Sequence, residues 1–243
     1  KGNYQDFQRY PEVDVAMAAD AEATLPALAE AWKRLVTTEK RSAFQERGKK
    51  LAQAHAAALD RARAEAAYGW DASPISTARL TMELWAQIKK EDWSLVAESG
   101  IMSDWTERLW NHDKHYQSLG GSGGAGVGYG APAAVGAALA NKKHGRLSVT
   151  IQGDGDFMYA PGVWWTAAHH RIPLLAVMHN NRAYHQEVMH LQRMANRHNR
   201  GITRAHIGTT IDDPNIDFAK IAQGMGVHAQ GPITNPNDLA PAI

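Results

Sequence analysis

The chain has 243 residues, which is long enough for one large or two small folded domains, at ~100–200 residues per domain. Hydrophobic residues make up 44% of the chain and charged residues 21%, and this composition excludes disorder as its main state. Its 26 Lys and Arg residues nearly balance its 25 Asp and Glu residues, and this balance gives no indication of a nucleic-acid-binding surface. Cysteine is absent, which excludes disulfides, thiolate metal sites and a cysteine nucleophile and fits the cytoplasmic location that we expect.

The longest uncharged stretch, residues 116–141, would be long enough to span a bilayer, for which ~20 residues suffice. Eight of its residues are Gly and its apolar residues are mostly Ala, so we predict no membrane segment. The chain starts without Met and ends where a helix begins, near Asp238. We therefore expect it to be a piece of a longer polypeptide.

Before residue 74 the pattern predicts one strand followed by two helices, at residues 13–18, 22–35 and 39–68. Asp20 or Thr24 is the expected N-cap of the first helix, because both side chains can accept a hydrogen bond from a free backbone N–H group. The second helix is rich in Ala, Lys, Arg and Glu, which is typical of an exposed linker helix. The segment Trp70–Pro74 predicts a break.

After residue 74, short apolar runs alternate with segments of helical periodicity. Helices are predicted at residues 75–88, 103–110, 131–140, 163–170 and 218–225. Strands are predicted at residues 93–97, 147–151, 173–178 and 227–230. This alternation predicts an α/β fold, in which a mostly parallel sheet carries helices on both faces.

Polar residues follow two of the predicted strands. Asp154 comes after the strand at 147–151, and Asn181 comes after the strand at 173–178, one βαβ step later. Open parallel sheets bind ligands beyond the carboxyl ends of their strands, so both side chains should lie at the same edge. A carboxylate, an amide oxygen and a backbone carbonyl are hard oxygen ligands, which favour Mg²⁺ together with a phosphate group.

The spacing of these residues resembles a known cofactor motif. Gly153-Asp154-Gly155, then 24 residues, then Asn180-Asn181, is similar to the motif of thiamine diphosphate enzymes. Residues 126–137 resemble the glycine-rich turn and helix of acetolactate synthases and benzoylformate decarboxylases, and residues 98–105 stand where those enzymes carry a diphosphate-contacting loop. The resemblance implies the thiamine diphosphate-binding fold for residues 74–243, a domain incomplete at its C-terminus. It implies that residues 1–37 are the tail of a central domain and that residues 38–73 are a helical linker.

The resemblance also implies roles for individual residues. The metal ligands would be the side chains of Asp154 and Asn181 and the backbone carbonyl of Ala183. The diphosphate would lie against Gly153, Gly155, Asp156 and Phe157, and against the backbone of Ile101 and Met102. The aminopyrimidine ring would lie against Ala125 and Val127, with Val127 as the apolar wedge that keeps the cofactor bent, and the site would be bordered by Tyr184 and His185.

Three features depart from the family pattern. Asp156 stands where a small residue, commonly Ser, is usual, and Val127 stands where acetolactate synthases have Met. A carboxylate beside a diphosphate is unfavourable unless it points away or captures a cation. No residue of this chain matches the glutamate that activates the cofactor, which lies in a separate pyrimidine-binding domain, so the catalytic residue is unknown here.

The implied function is cleavage or ligation of C–C bonds in a 2-oxo acid or related carbonyl compound, dependent on thiamine diphosphate and Mg²⁺. The site would be completed by a pyrimidine-binding domain or subunit, in a homodimer or homotetramer. FAD binding occurs in part of the family but uses the central domain, so this chain does not support it. The alternative is a non-catalytic relic or interaction subunit that retains the fold.

Two further patterns are weaker. Gly121–Gly126 matches a dinucleotide-binding fingerprint, but the residues before it make a poor strand, which disfavours a nicotinamide site. A basic run follows the candidate site, at Arg193, Arg197, Arg200 and Arg204. A solvated or interface role and the anchoring of an acidic substrate or nucleotide both stay open for it.

Overall fold

The computed structural model describes residues 12–97, 104–121 and 126–243. The chain divides into two compact units, residues 1–58 and 59–243, and the division lies within helix α2 (Thr38–Ala66). The predicted domain boundaries at residues 37 and 73 stay predictions.

The first unit contains helix α1 (Ala21–Leu35) and the start of α2. The side chain of Asp20 accepts a 2.9 Å hydrogen bond from the backbone N of Ala23, so of the two expected N-caps it is Asp20 that caps the helix. Trp32 of α1 stacks on Phe44 of α2 with a ring separation of 5.4 Å.

The strand predicted at residues 13–18 is wrong. This segment forms no regular element, and the side chains of Val13, Val15 and Met17 are more than half exposed. Alternating apolar residues form a strand only when a neighbouring strand satisfies their backbone groups, and no such neighbour pairs with this segment among the described residues.

The second unit holds the sheet. Its strands are β1 (Trp93–Ala97), β2 (Leu147–Gly153) and β3 (Leu175–His179). Its described residues form the helices α3 (Thr77–Ile88), α4 (Trp105–Leu109), α5 (Gly130–Lys142), α6 (Asp154–Phe157), α7 (Val163–His169), α8 (His185–Arg197), α9 (Phe218–Gly224) and α10 (Leu239–Ala242), with a 3-10 turn at Pro236–Asp238.

The three strands are parallel and stand in the order β1-β2-β3. Ala97 pairs with Ile151, and Gly153 pairs with His179, so β2 and β3 end side by side. The α/β fold with a parallel sheet is therefore confirmed.

One face of the sheet is apolar. Trp93 and Leu95 of β1 and Val149 and Ile151 of β2 are almost fully buried, together with Leu84 of α3. The same cluster includes side chains from α4 and from the end of α2.

The other face of β2 is polar, which the strand prediction did not anticipate. Ser148, Thr150 and Gln152 alternate along this face and are all buried. Asn141 of α5 donates a 3.0 Å hydrogen bond to Ser148, which places α5 on this face, and Thr150 donates to the carbonyl of Val96 at 2.8 Å. Helices thus cover both faces, and the polar face runs along β2 towards Asp154.

The strand predicted at residues 227–230 is also wrong. Val227 and Ala229 pack as partly buried residues against the core around α9, and the carbonyl of Ala229 accepts a 2.8 Å hydrogen bond from the Gln223 side chain. This segment forms no strand pairing within the described residues. Its apolar side chains are buried by packing against helices instead.

Helix α8 was not anticipated, although its apolar residues Val188, Leu191 and Ala195 are spaced for one helical face. The arginines of the basic run lie in or just after α8 and are exposed. In the described part of the chain, no helix is long and apolar enough to cross a membrane.

Candidate functional site

The candidate site lies where β2 and β3 end. Gly153 and His179 are the last residues of these strands and pair with each other, so Asp154 and the loop that begins at Asn180 leave the sheet side by side. This is the arrangement that one βαβ step between Asp154 and Asn181 predicts.

Asp154 is the most unusual side chain at this edge. It is 1% exposed, and neither of its carboxylate oxygens has a hydrogen-bond partner of ordinary geometry among the described residues. Burial raises the pKa of the Asp154 carboxyl, while backbone N–H groups of Gly155, Arg182 and Asn181 act in the opposite direction. Those N–H groups also show that the loop after β3 lies close to this carboxylate.

A buried carboxylate whose oxygens have no hydrogen bond of ordinary geometry is costly unless a cation or a better-placed donor compensates it. Asp154 therefore fits a metal ion bound at this edge. The described residues contain no group of three or more His, Cys, Asp or Glu side chains that could hold a metal ion. The predicted ligand set needs only one carboxylate, and its other members are an amide and a backbone carbonyl.

The loop after β3 is tightly turned. Arg182 has a positive φ of 57°, and the side-chain oxygen of Asn181 accepts a 3.0 Å hydrogen bond from the backbone N of Ala183. An amide oxygen has two lone pairs, so this turn leaves Asn181 able to accept a metal ion as well.

A segment that the sequence analysis missed holds this loop. Ala183 forms an antiparallel bridge with Thr210, and the backbone N of Ile211 donates to the carbonyl of Arg182 at 2.7 Å. The backbone N of Tyr184 donates to the carbonyl of Thr209 at 2.8 Å. The signal for this segment was the run Thr209-Thr210-Ile211, because β-branched residues favour extended backbone.

Gly155 lies directly against Tyr184. A Cβ atom on Gly155 would lie 2.7 Å from Cδ1 of the Tyr184 ring and 3.5 Å from Cδ1 of Ile211, so only glycine fits without displacing the ring. Tyr184 also makes an edge contact with Tyr159 at 6.2 Å. Partial burial raises the pKa of the Tyr184 hydroxyl, and the charges of Tyr159 and Asp154 add to this effect.

Asp156 faces the glycine-rich turn. One of its carboxylate oxygens accepts a hydrogen bond from the backbone N of Gly128, and the other is buried without a partner in the described part of the chain. Val127 precedes Gly128 and is 56% exposed, so it takes no part in the core. Asp156 and Val127, both predicted site residues, are thus joined through Gly128.

The remaining predicted residues differ in their surroundings. Phe157 is 1% exposed and stacks on Trp164 at 5.4 Å, so its side chain belongs to the core and only its backbone could face a diphosphate. His185 is exposed at the start of α8. The predicted contacts at Ile101, Met102 and Ala125 lie outside the described residues.

His179, the last residue of β3, is a further polar residue at this edge. Its Nδ1 atom is buried without a hydrogen-bond partner in the residues described. Burial lowers the pKa of His179, and the neighbouring charge of His185 lowers it further. Both effects favour the neutral form of the imidazole.

The chain is similar to known proteins over more than half of its length. Residues 98–243, more than half of the chain, match the family described as thiamine pyrophosphate enzyme, C-terminal TPP binding domain. Over 120 residues the chain is 36% identical to a Mycobacterium tuberculosis protein named as an acetolactate synthase large subunit, an alignment that covers 49% of this chain and 22% of that protein. Over 104 residues it is 36% identical to benzoylformate decarboxylase of Pseudomonas aeruginosa, covering 43% of this chain and 18% of that enzyme.

A solved structure has the same fold. The thiamine diphosphate-dependent 4-hydroxybenzoylformate decarboxylase of Rhodococcus jostii RHA1 superimposes with a TM-score of 0.54 and 28% sequence identity, over 67% of this chain and 29% of that enzyme. The chain therefore spans less than a third of the length of each protein that it resembles.

Proposed function

Because the chain belongs to the thiamine pyrophosphate enzyme family, through the C-terminal TPP-binding domain, we propose that it binds Mg²⁺ and the diphosphate of thiamine diphosphate at the edge formed by β2 and β3. The side chains of Asp154 and Asn181 and the carbonyl of Ala183 hold the metal. Gly153 allows the diphosphate to approach the backbone, because it carries no side chain, and Gly155, whose side-chain position is filled by the Tyr184 ring, would contact the diphosphate through its backbone. The observation that carries the proposal is the buried carboxylate of Asp154, whose oxygens have no hydrogen bond of ordinary geometry among the described residues.

The reaction that we propose is cleavage or ligation of a C–C bond in a 2-oxo acid or a related carbonyl compound. When bound, thiamine diphosphate would supply the nucleophilic carbon and the electron sink that this chemistry needs. The names of the relatives support this class, since they include an acetolactate synthase and a benzoylformate decarboxylase. They leave the choice between a lyase and a transferase open.

The chain's own residues bind and orient in this proposal. Val127, exposed beside the turn, would be the apolar wedge that keeps the cofactor bent, and Tyr184 and His185 would border the site. The activating glutamate comes from a pyrimidine-binding domain outside this chain, in a homodimer or homotetramer. A cytoplasmic location belongs to the same proposal.

A non-catalytic relic that retains the fold is the alternative. At the level of sequence, Asp156 and the absent activating glutamate favoured it slightly, because a second carboxylate beside a diphosphate is unfavourable and the site is incomplete without that glutamate. The hydrogen bond from Gly128 to Asp156 weakens the first of these arguments, since it gives the carboxylate a different partner. Cofactor titration separates the two functions.

We expect the protein to bind thiamine diphosphate only when Mg²⁺ is present, and Asp154→Ala to abolish this binding, because the substitution removes the only carboxylate of the ligand set. Isothermal titration calorimetry with thiamine diphosphate, in Mg²⁺ and in excess chelator, measures both effects. An Asp154→Ala protein that binds the cofactor as tightly as the parent would refute the site.

Asp217→Ala is the matched control. The Asp217 carboxylate accepts a 3.0 Å hydrogen bond from the backbone N of Lys220 and caps α9, so its loss affects stability alone. Asp154→Asn serves as a second variant. It removes a buried unpaired charge at nearly constant volume, and we expect a melting temperature at least equal to that of the parent. Loss of binding in Asp154→Asn is then not caused by unfolding.

A further inference from the structure

Helix α5 begins at a buried N-terminus that lacks a cap of its own. The first backbone N–H groups of a helix have no partner within the helix, and this end carries partial positive charge. Tyr129, at the N-cap position, makes no capping bond through its side chain, and the first turn of α5, which lies wholly within the described residues, contains no acidic side chain. Gly130 and Ala131 are buried, so solvent does not replace the missing cap.

Asp156 supplies negative charge at this end from another part of the chain. Its Oδ1 accepts the hydrogen bond from Gly128 N, two residues before the helix. Its Oδ2 lies 2.9 Å from the point where a Cβ atom on Gly130 would be, at the first position of α5. The carboxylate therefore faces both the turn and the first residue of the helix.

The glycines of the turn are fitted closely to the same surface. Gly128 has a φ of +88°, and a Cβ atom there would lie 2.6 Å from Cβ of Tyr159. A Cβ atom on Gly130 would lie 2.4 Å from Oε1 of Gln152. The turn thus approaches residues 152–159 so closely that a side chain would clash at Gly128 and at Gly130. The position of the turn therefore depends on residues 152–159.

We propose that Asp156 is a positioning residue, which holds the turn at residues 126–130 through the N–H group of Gly128 and so sets the position of Val127. The role of the turn rests on the proposed cofactor function, whereas the hydrogen bond from Gly128 to Asp156 does not depend on that function. In this assignment the Asp156 side chain contacts neither the diphosphate nor the metal. Its negative charge instead faces the partial positive charge at the N-terminus of α5.

Hydrogen exchange at the Gly128 amide tests the contact without any cofactor. We expect Asp156→Ala to accelerate this exchange about tenfold or more, because a hydrogen bond to a charged acceptor is lost, and Asp156→Asn to accelerate it less, because one oxygen remains. Asp217→Ala is the control, since it should accelerate exchange at Lys220 and leave Gly128 unchanged. Unchanged Gly128 exchange in Asp156→Ala would overturn the proposal, and Asp156→Asn decides the question if the alanine variant does not fold.

Affinity for two probes in Mg²⁺ then tests the role of the turn. We expect Asp156→Ala to weaken binding of thiamine diphosphate about tenfold, because the turn contacts the ring end, and to leave the affinity for inorganic pyrophosphate nearly unchanged. Tighter pyrophosphate binding would mean that Asp156 faces the diphosphate, and weaker pyrophosphate binding would mean that it ligates the metal. Either result overturns the proposal. A parent protein that binds neither probe overturns the proposed function, while Gly128 exchange still decides the contact.

Discussion

Two aspartates two positions apart have different environments. Asp154 is buried and its oxygens have no partner of ordinary geometry in the residues described, whereas Asp156 accepts a hydrogen bond from Gly128. A buried charge without compensation costs free energy. Such a cost is typical of a functional site, where a bound ligand offsets it. These environments support the proposal that Asp154 binds the metal and Asp156 positions the turn, although residue type alone does not distinguish them.

Val127 is the residue at which we expect a substitution to lower turnover much more than cofactor affinity. In an assembly that includes the pyrimidine-binding domain, Val127→Ala should lower kcat on the order of 10²-fold, because a small misplacement of the reacting groups has an effect of this size. Cofactor affinity should fall much less, since the metal and diphosphate contacts remain. Steady-state kinetics with cofactor titration measures both quantities.

The exposure of Val127 provides the control for that prediction. A side chain that is 56% exposed contributes little to the core, so Val127→Ala should change the free energy of unfolding by less than about 0.5 kcal/mol. A variant that loses thermal stability but keeps its kcat would show that Val127 only packs the turn.

At the scale of elements, α5 determines how closely the turn approaches the sheet. Its buried positions include Ala131, Ala134 and Ala138, and these small side chains let the helix pack against the polar face of β2. Asn141 at the far end of the helix bonds Ser148, while the near end meets Gln152 and Asp156. The helix is therefore held to the sheet at both ends.

Two substitutions in α5 should have opposite effects on stability. Ala134 is fully buried, so Ala134→Leu should lower the free energy of unfolding by about 1–3 kcal/mol through overpacking. Gly136 is exposed and nothing lies within 4 Å of a Cβ atom placed there, so Gly136→Ala should raise it by about 0.5–1 kcal/mol. Urea denaturation measures both values, and equal effects of the two substitutions would show that α5 does not pack as described.

At the scale of the whole molecule, the chain provides one side of the proposed active site. The matched proteins are more than three times as long as the part that this chain covers. In the proposed function, residues of this chain would bind the metal and the diphosphate and Val127 would be the wedge, and none of these residues matches the activating glutamate. Catalysis would then depend on a second domain.

This dependence predicts that the 243-residue protein, saturated with thiamine diphosphate and Mg²⁺, releases no CO₂ from 2-oxo acids such as benzoylformate or pyruvate. Cofactor binding should still be measurable, because the metal and diphosphate ligands lie in this chain. A coupled assay for CO₂ release, run beside calorimetry on the same sample, tests both statements. Turnover by the purified chain would contradict the proposed division of the site.

Much of the fold could be predicted from the sequence because its determinants are local. Helix and strand periodicity indicated α3, α5, β1, β2 and β3 to within a few residues, and the spacing between Asp154 and Asn181 predicted that they leave neighbouring strands. The strands predicted at residues 13–18 and 227–230 failed because a strand also needs a neighbour to pair with. That requirement is not visible in a local pattern.

The sequence by itself determined the family, the order of the elements around the sheet and the residue types at its edge, since these depend on short-range pattern and on a motif of fixed spacing. Only the tertiary structure decided which partner each side chain has. The Gly128–Asp156 hydrogen bond joins residues 28 positions apart, and the contact between Arg182 and Ile211 spans a similar distance. Such contacts arise when packed elements bring distant backbone groups together. The lack of an ordinary hydrogen bond at Asp154 among the described residues, and the bond that Asp156 accepts from Gly128, are therefore properties of the folded chain.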